Sequence, residues 1–348
     1  MKREDKDLLA REQYLLRSTF FYNQLSIQGY FVLFARVKRF VKVEGAHLDW
    51  SSRLDWRIGD AAWAAVAALG IPPALVFAHP KVLKLNPTFL RYYRSVALLP
   101  QRGLSTFSKT SRVTALEKST AESSNLETGT VLRLTQSLNE VISVLVATAH
   151  GLDERMLEGM MYVTAGTTID GAWRNQIGAE GERVVKTIIR DGLLATDEVS
   201  SFIDKQNNTV EVSSEEAQRL IEDVDLLRCI NLKNGYSVCF AQEPDVTFFN
   251  PTGAIVGVIE IKAGIDPAGA LERLGAIFKS FENALAEYPE AVTILVASCI
   301  TKEMDSRLNA SMLLRQRYIM AAITADDREK RKFVNRLRII LDLTRPAL

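Results

Sequence analysis

The chain has 348 residues, which is long enough for one large domain or for two domains of ordinary size. Its composition, 47% hydrophobic and 24% charged, is typical of a soluble globular protein. Lysine and arginine total 43 against 42 aspartates and glutamates, so the net charge of +1 excludes a protein that is basic overall. A site for a polyanion would therefore have to be a local patch.

The sequence shows no sign of export or membrane insertion. The first seven residues are charged and lack the apolar core of a signal peptide. The apolar run Ala61–Val76 is short and contains Pro72-Pro73, so it cannot span a bilayer. Cys229, Cys239 and Cys299 lie in or near apolar strand-like runs without metal-binding spacing. We expect a soluble intracellular protein whose cysteines pack as thiols in the core.

The first half of the chain has mostly helical patterns. Residues 8–43 have helical spacing, and helices are predicted at residues 60–69 and, after a polar loop at 117–129, at residues 130–149. We expect residues 1–165 to form a mainly helical N-terminal region.

The second half alternates strand and helix patterns. We predict a break at residues 166–168, a helix from about Arg174 to Arg190, strands over 227–246 with a turn at Asn234-Gly235, a helix at 267–288, a strand at 292–300 and helical residues from Met304 onward. Residues 166–348 are therefore expected to be an α/β (α+β) region. No linker rich in proline or glycine separates it from the first region, so the sequence leaves open whether they are separate domains.

A hairpin in this second region carries two acids and a lysine. Asp245 precedes an apolar run, and residues 250–253 (Asn-Pro-Thr-Gly) form a turn into a Val- and Ile-rich run that ends in Glu260-Ile261-Lys262. Glu260 and Lys262 are two apart, so on a strand they point to the same face, which Asp245 reaches if the hairpin closes. Two carboxylates at one place suit a hard divalent cation, and a lysine beside them suits a phosphate.

The spacing of Pro244-Asp245, Glu260 and Lys262 resembles the signature of the PD-(D/E)XK nuclease superfamily. The resemblance implies a central mixed sheet flanked by helices, with Asp245 and Glu260 binding Mg2+ and Lys262 assisting the attacking water. The alternative is that Glu260 and Lys262 pair with each other on the wet face of an edge strand. Apolar residues on both faces of this strand favour an interior position, where two charges are costly unless they serve a function.

An upstream helix offers a third carboxylate. Glu182 lies at the edge of an apolar stripe that includes Gly181 and Val185. Superfamily members commonly supply an extra acid from the first core helix, so the resemblance implies that Glu182 contacts the metal directly or through water. One alternative is that Glu180 takes this role. The other is that both glutamates are ordinary solvated residues.

A further cluster combines aromatic and basic residues. Between Phe89 and Arg112 the chain has four arginines, one lysine and no acid. In a chain of balanced charge, this local excess predicts a surface that contacts DNA phosphates. The candidate residues are Arg91, Arg94, Arg102 and Lys109. The alternative is a cationic surface helix whose tyrosines, Tyr92 and Tyr93, are buried.

Three segments together are similar to type II restriction endonucleases of the XcyI family. They are Tyr92-Tyr93-Arg94, Gln101-Arg102-Gly103-Leu104 and residues 260–273 (EIKAGIDPAGALER), and the similarity covers about residues 79–113 and 170–300. The resemblance implies a homodimeric, Mg2+-dependent enzyme, in which Mn2+ can replace Mg2+, that cuts double-stranded DNA at a GC-rich palindrome, CCCGGG for that family. It further implies a cognate DNA methyltransferase as genetic partner, a bacterial or archaeal cytoplasm, and a role for residues 1–165 in DNA contact or dimerisation.

Sequence-specific cutting requires residues that read base edges in the major groove. The candidates are Arg174, Arg273, Lys279 and Lys302, each of which is better suited to a phosphate or surface role. Two other functions stay open: a PD-(D/E)XK DNase of repair or anti-phage defence with little sequence preference, and a non-catalytic DNA-binding protein. The intact set of two acids and a lysine argues against the non-catalytic function.

Overall fold

The computed structural model describes residues 3–118, 127–149, 151–241, 243–264 and 266–343. The chain divides into two compact units, one of residues Glu12–Trp173 and one of Arg174–Leu348 together with the residues up to Arg11. The division falls inside a long helix, between residues 173 and 174. Within the described ranges, no helix has the length and apolar character needed to cross a membrane.

In the unit of residues 12–173, the regular secondary structure of the described residues is helical. Its helices are α1 (Arg3–Ile27), α2 (Tyr30–Glu44), α3 (Asp60–Ala68), α4 (Pro73–Val76), α5 (Pro80–Leu85), α6 (Leu90–Val96), α7 (Gln101–Ser108), α8 (Val113–Glu117), α9 (Thr128–Thr148) and the first part of α10 (Glu154–Leu194). Gly29, between α1 and α2, has a φ of 71°, a conformation that glycine adopts without strain. The helices predicted at 60–69 and 130–149 are confirmed, and the helical spacing over residues 8–43 is divided at Gly29 into two helices.

The break predicted at residues 166–168 is wrong, because α10 continues through it. Ala165 and Ile169 are fully buried in the core of this unit, so packing outweighs the weak helix propensity of the Gly-Thr-Thr segment. The hydroxyls of Thr167 and Thr168 both donate to the carbonyl of Thr164, which keeps these side chains within the helix. The predicted loop at 117–129 lies mostly outside the described residues.

The second unit is built on a mixed sheet with helices on both faces. Its elements after α10 are β1 (Val199–Asp204), β2 (Thr209–Glu211), α11 (Glu215–Glu222), β3 (Leu227–Leu232), β4 (Ser237–Phe240), β5 (Val246–Phe249), β6 (Ile255–Lys262), α12 (Pro267–Glu272), α13 (Leu274–Glu287), β7 (Val292–Ala297), α14 (Lys302–Ala310), β8 (Gln316–Ile319), α15 (Met320–Ala325) and α16 (Asp327–Ile340). The strand order is β2-β1-β3-β4-β5-β6-β7-β8. Neighbours are antiparallel up to β6, and β6-β7 and β7-β8 are parallel. The predicted α+β fold with a central mixed sheet is confirmed.

The two faces of the sheet have separate apolar cores. On one face, Ile259 and Ile261 of β6 share a core with residues of α10 and α16. On the other face, Val258 of β6 shares a core with α13 and α14. Because side chains alternate along a strand, Glu260 and Lys262 belong to the same face as Val258.

Several details of this unit differ from the sequence-based expectation. The helix predicted at 267–288 is interrupted between α12 and α13, and the strand predicted at 292–300 ends at Ala297. The all-helical C-terminus was wrong, since β8 adds an edge strand of four residues with half-exposed side chains. Such a short, half-exposed run carries too little periodicity to be recognised.

The thiol prediction was also wrong for Cys229 and Cys239. The antiparallel register of β3 and β4 places these two residues directly opposite each other, and a disulfide joins them. The register of these strands cannot be read from local patterns, so the spacing of the cysteines did not reveal the pairing.

Candidate active site

The predicted hairpin of β5 and β6 closes and brings Asp245 to Glu260 and Lys262. The register pairs Val246 with Ile259, so Asp245, one residue before β5, lies beside the end of β6. Its Oδ2 accepts a hydrogen bond of 2.6 Å from the backbone N–H of Ile261. Because β6 lies between β5 and β7, the site belongs to an interior strand and not to an edge. The edge-strand part of the alternative is therefore wrong, whereas the pairing of Glu260 with Lys262 that it also foresaw is present.

The three side chains form one ionic cluster. Lys262 Nζ lies 2.6 Å from Glu260 Oε2 and 3.5 Å from Asp245 Oδ2. Asp245 and Glu260 are only 5% and 4% exposed, whereas the Lys262 side chain is 22% exposed. The lysine therefore lies between two buried carboxylates and the solvent, and it is the part of the cluster that an incoming phosphate can reach.

Burial and neighbouring charges shift two pKa values in this cluster. Burial raises the pKa of Asp245 to about 6, and the charges of Glu260 and Glu182 add to this, while Lys262 and the Ile261 N–H oppose it. For Lys262, burial lowers the pKa, but the charges of Asp245 and Glu260 outweigh burial and raise it overall. The lysine is thus held protonated, and the aspartate ionises close to neutral pH.

A glycine allows α10 to approach the end of β6. A Cβ built on Gly181 would lie 2.1 Å from the Cβ of Ala263, the residue after Lys262. Glycine is required at this contact because any side chain would overlap the strand. The close approach sets the position of the residues that follow Gly181 on the helix.

Glu182, next along α10, is half-buried and close enough to Asp245 to raise its pKa. Its Oε2 lies 3.0 Å from Lys186 Nζ, and that ammonium lies 5.9 Å from the centre of the Phe240 ring at the end of β4. Glu180 is more exposed and pairs with Arg183 at 2.6 Å. Of the two glutamates, Glu182 is the one that interacts with the cluster, and its role in metal binding stays a prediction.

The residues of the cluster fit a magnesium ion. In the described part of the chain, no three His, Cys, Asp or Glu side chains converge closely enough to enclose a metal. Mg2+ does not require such a cage, because it typically keeps several waters and uses one or two carboxylates together with substrate phosphates. Asp245 and Glu260 supply two adjacent carboxylates on one buried surface. The donor set is therefore one of hard oxygen ligands.

The predicted phosphate surface is wrong for Arg91 and Arg94. Arg94 is fully buried, with Nε 2.5 Å from Glu117 Oε1 and Nη1 2.7 Å from the carbonyl of Leu99. Arg91 is buried too, and its Nη2 donates to the Glu117 carbonyl at 2.9 Å. Their partner, Glu117, lies just beyond the acid-free window of residues 89–112, so the local charge count missed the compensating acid.

Tyr92 and Tyr93 are core residues of the same unit. Both rings are fully buried, and their hydroxyls donate to the carbonyls of Leu75 at 2.6 Å and Ala74 at 2.7 Å. Burial of the tyrosines was one of the alternatives drawn from the sequence, and it is confirmed.

The other predicted DNA contacts lie at or near the surface. Arg102, Lys109, Arg174, Lys279 and Lys302 are exposed. Arg273 is half-buried and its Nη1 lies 3.4 Å from the carbonyl of Gly264, two residues after Lys262. These positions agree with contact to DNA but do not test it.

One polar residue of the site was not predicted. Ser280 of α13 donates from Oγ to Glu260 Oε1 at 2.5 Å, and it is 3% exposed. The sequence feature that could have revealed Ser280 is its position, as a serine, on the helix face that also carries Ile277, Phe281 and Ala284.

The sheet, its flanking helices and the buried Asp245–Glu260–Lys262 cluster at the end of β6 define the class: a restriction-endonuclease-like α+β protein. The particular family follows from comparison of the sequence. Residues 46–226, more than half of the chain, match the family model described as XcyI restriction endonuclease, and the chain belongs to this family. The match includes Glu182 and ends before Asp245.

Two relatives have related sequences. The chain is 23% identical over 298 residues to the type II restriction enzyme Cfr9I of Citrobacter freundii, covering 82% of each chain. It is 26% identical over 252 residues to the type II restriction enzyme XcyI of Xanthomonas campestris pv. cyanopsidis, covering 69% of this chain and 67% of that enzyme. The chain is thus a type II restriction endonuclease, a site-specific deoxyribonuclease that acts on double-stranded DNA.

Proposed function

We propose that the protein hydrolyses phosphodiester bonds in a Mg2+-dependent reaction at a short, GC-rich palindrome related to CCCGGG, and that Mn2+ can replace Mg2+. The observation that carries the proposal is the convergence of Asp245, Glu260 and Lys262 at the end of an interior strand. Type II restriction enzymes generally need a divalent metal ion, and buried carboxylates beside a lysine are otherwise costly to the fold.

Asp245 and Glu260 would hold the ion, which when bound supplies acidification of a water and neutralisation of phosphate charge. Lys262 is protonated and partly exposed, so its ammonium is suited to orienting the attacking water and stabilising charge that develops on the scissile phosphate. Burial raises the pKa of Asp245 to about 6 in the metal-free site, so above about that pH its carboxylate is ionised and available to a cation.

Glu182 is proposed as an additional ligand, directly or through water. Its carboxylate already interacts with Asp245 and is only half-buried. It can therefore turn toward the cluster once its ion pair with Lys186 is broken. A ligand of this kind is partly replaceable by water.

We assign DNA contact to basic residues at or near the surface. Arg102 and Lys109 are proposed to neutralise phosphates. The remaining candidates for phosphate or base contact are Arg174, Arg273, Lys279 and Lys302. A palindromic target is symmetric about a two-fold axis, so we propose a homodimer in which each subunit cuts one strand. A cognate methyltransferase would protect host DNA in the bacterial or archaeal cytoplasm.

Digestion of a sequenced plasmid with Mg2+, followed by sequencing of the fragment ends, tests the proposal. The expected result is a set of discrete fragments whose ends all fall within one palindromic sequence, and no cutting when EDTA removes the metal. A plasmid with every CCCGGG site altered by one base is the matched control. Cutting of that control at the same rate would refute the proposed target, and a smear of fragments would refute site-specific cleavage.

A further inference from the structure

A buried serine interrupts the apolar contact between α13 and the sheet. Ser280 is 3% exposed, and its neighbours on the buried face of α13 are Leu274, Ile277, Phe281 and Ala284. An alanine would pack at least as well here, because burying a hydroxyl without a partner costs about 1–3 kcal/mol. The acceptor of the hydroxyl therefore explains why a serine is tolerated at this position.

That acceptor is one of the two buried carboxylates of the active site. Ser280 Oγ lies 2.5 Å from Glu260 Oε1, while Lys262 Nζ lies 2.6 Å from Glu260 Oε2. The two donors come from different elements and bind different oxygens, so together they fix the orientation of the carboxylate. Lys262 is partly exposed and also interacts with Asp245, whereas Ser280 is enclosed. The serine is consequently the donor that does not compete with substrate or cation.

We propose that Ser280 is a positioning residue for Glu260, which holds Oε1 on the α13 side and presents Oε2 to the divalent cation. The inference rests on the proposed function, in which Glu260 binds Mg2+. Removal of partners that orient a metal-binding side chain typically weakens metal affinity by about 10–100-fold, even though they do not touch the metal.

The test is thermal unfolding of the full chain without DNA, at increasing Mg2+ concentrations. Binding to the folded state alone raises the melting temperature in proportion to the logarithm of 1 + [Mg2+]/Kd, so the Mg2+ concentration at which the rise begins reports affinity. We expect Ser280→Ala to need about 10–100-fold more Mg2+ than the wild type. The control is Ser108→Ala in the other unit, which removes an equally buried helical serine whose hydroxyl donates to the Leu104 carbonyl. It should lower the metal-free melting temperature at most, and leave the Mg2+ dependence unchanged.

Two outcomes separate this inference from the proposed function. If the wild type is not stabilised by Mg2+, the proposed metal site itself fails. If the wild type is stabilised and Ser280→Ala responds to the same Mg2+ concentrations, the positioning role is overturned. If Ser280→Ala does not fold, Ser280→Cys replaces it, since a thiol is close in size but a weaker donor. A wild-type Mg2+ dependence in that variant would equally overturn the inference.

Discussion

Asp245→Asn should stabilise the metal-free protein at alkaline pH, although it removes an active-site residue. In the folded state burial raises the pKa of Asp245 from its ordinary value of 3.8 to about 6, so the folded state binds the proton more tightly than the unfolded state does. The stability contributed by the protonated carboxyl is present below the unfolded pKa and is lost as the pH rises through the folded pKa. Asparagine remains neutral, and its side-chain oxygen can still accept from the Ile261 N–H.

The magnitude follows from the difference of about two pKa units, which corresponds to about 3 kcal/mol when each unit is worth about 1.4 kcal/mol. Coupling to Lys262 makes about 2–3 kcal/mol the realistic range for the change. The free energy of unfolding of Asp245→Asn, relative to that of the wild type, should therefore be higher at about pH 8 than at about pH 4 by about 2–3 kcal/mol. The assay is urea unfolding in EDTA across that pH range.

Asp55→Asn is the control, because Asp55 is an exposed aspartate in the other unit. It should show no comparable dependence on pH. Addition of Mg2+ should reverse the order for Asp245→Asn, since the wild type gains stability from the ion and the variant loses a carboxylate ligand. A stability difference between wild type and Asp245→Asn that stays constant with pH would refute the reasoning about burial.

The remaining predictions concern the helix beside the site and the DNA surface. Glu182→Ala should lower the cleavage rate without abolishing it, whereas Glu180→Ala should leave single-turnover cleavage unchanged; the reverse order would show that the other glutamate serves the site. Gly181→Ala should destabilise the fold by about 1–3 kcal/mol in thermal or urea unfolding, because its Cβ would lie 2.1 Å from a side-chain carbon. The matched Gly178→Ala, whose Cβ would meet nothing within 4 Å apart from the adjacent helix backbone, should be neutral or stabilising by up to about 1 kcal/mol, and equal losses in both variants would contradict this account. Arg102→Ala should weaken binding to cognate and unrelated DNA alike and reduce the slope of log affinity against log salt by about one, measured in Ca2+ to prevent cutting; a loss at the cognate site alone would indicate base reading.

The hairpin that carries the site was predictable because all of its signals are local. The turn residues 250–253, the alternation along β6 and the two-residue spacing of Glu260 and Lys262 each depend on a few neighbouring positions. Closing the hairpin then determines where Asp245 lies, so the cluster follows from short-range patterns alone.

The features that the sequence did not reveal depend on contacts between distant elements. Arg94 was expected at the surface because its acidic partner, Glu117, lies 23 residues away on another helix. The disulfide depends on the register of two strands, and the hydrogen bond from Ser280 to Glu260 on the packing of α13 against β6. Such pairings follow from tertiary packing, which local periodicity does not specify.

The most direct test of the central claim is single-turnover cleavage of a CCCGGG duplex in Mg2+ by wild type, Asp245→Ala and Lys262→Ala. We predict that both variants lose at least about 10³-fold in rate while they still fold, bind the duplex in Ca2+ and melt cooperatively. Asp55→Ala should cleave like the wild type. Cleavage by folded Asp245→Ala at the wild-type rate would contradict the assignment of the catalytic site to the end of β6.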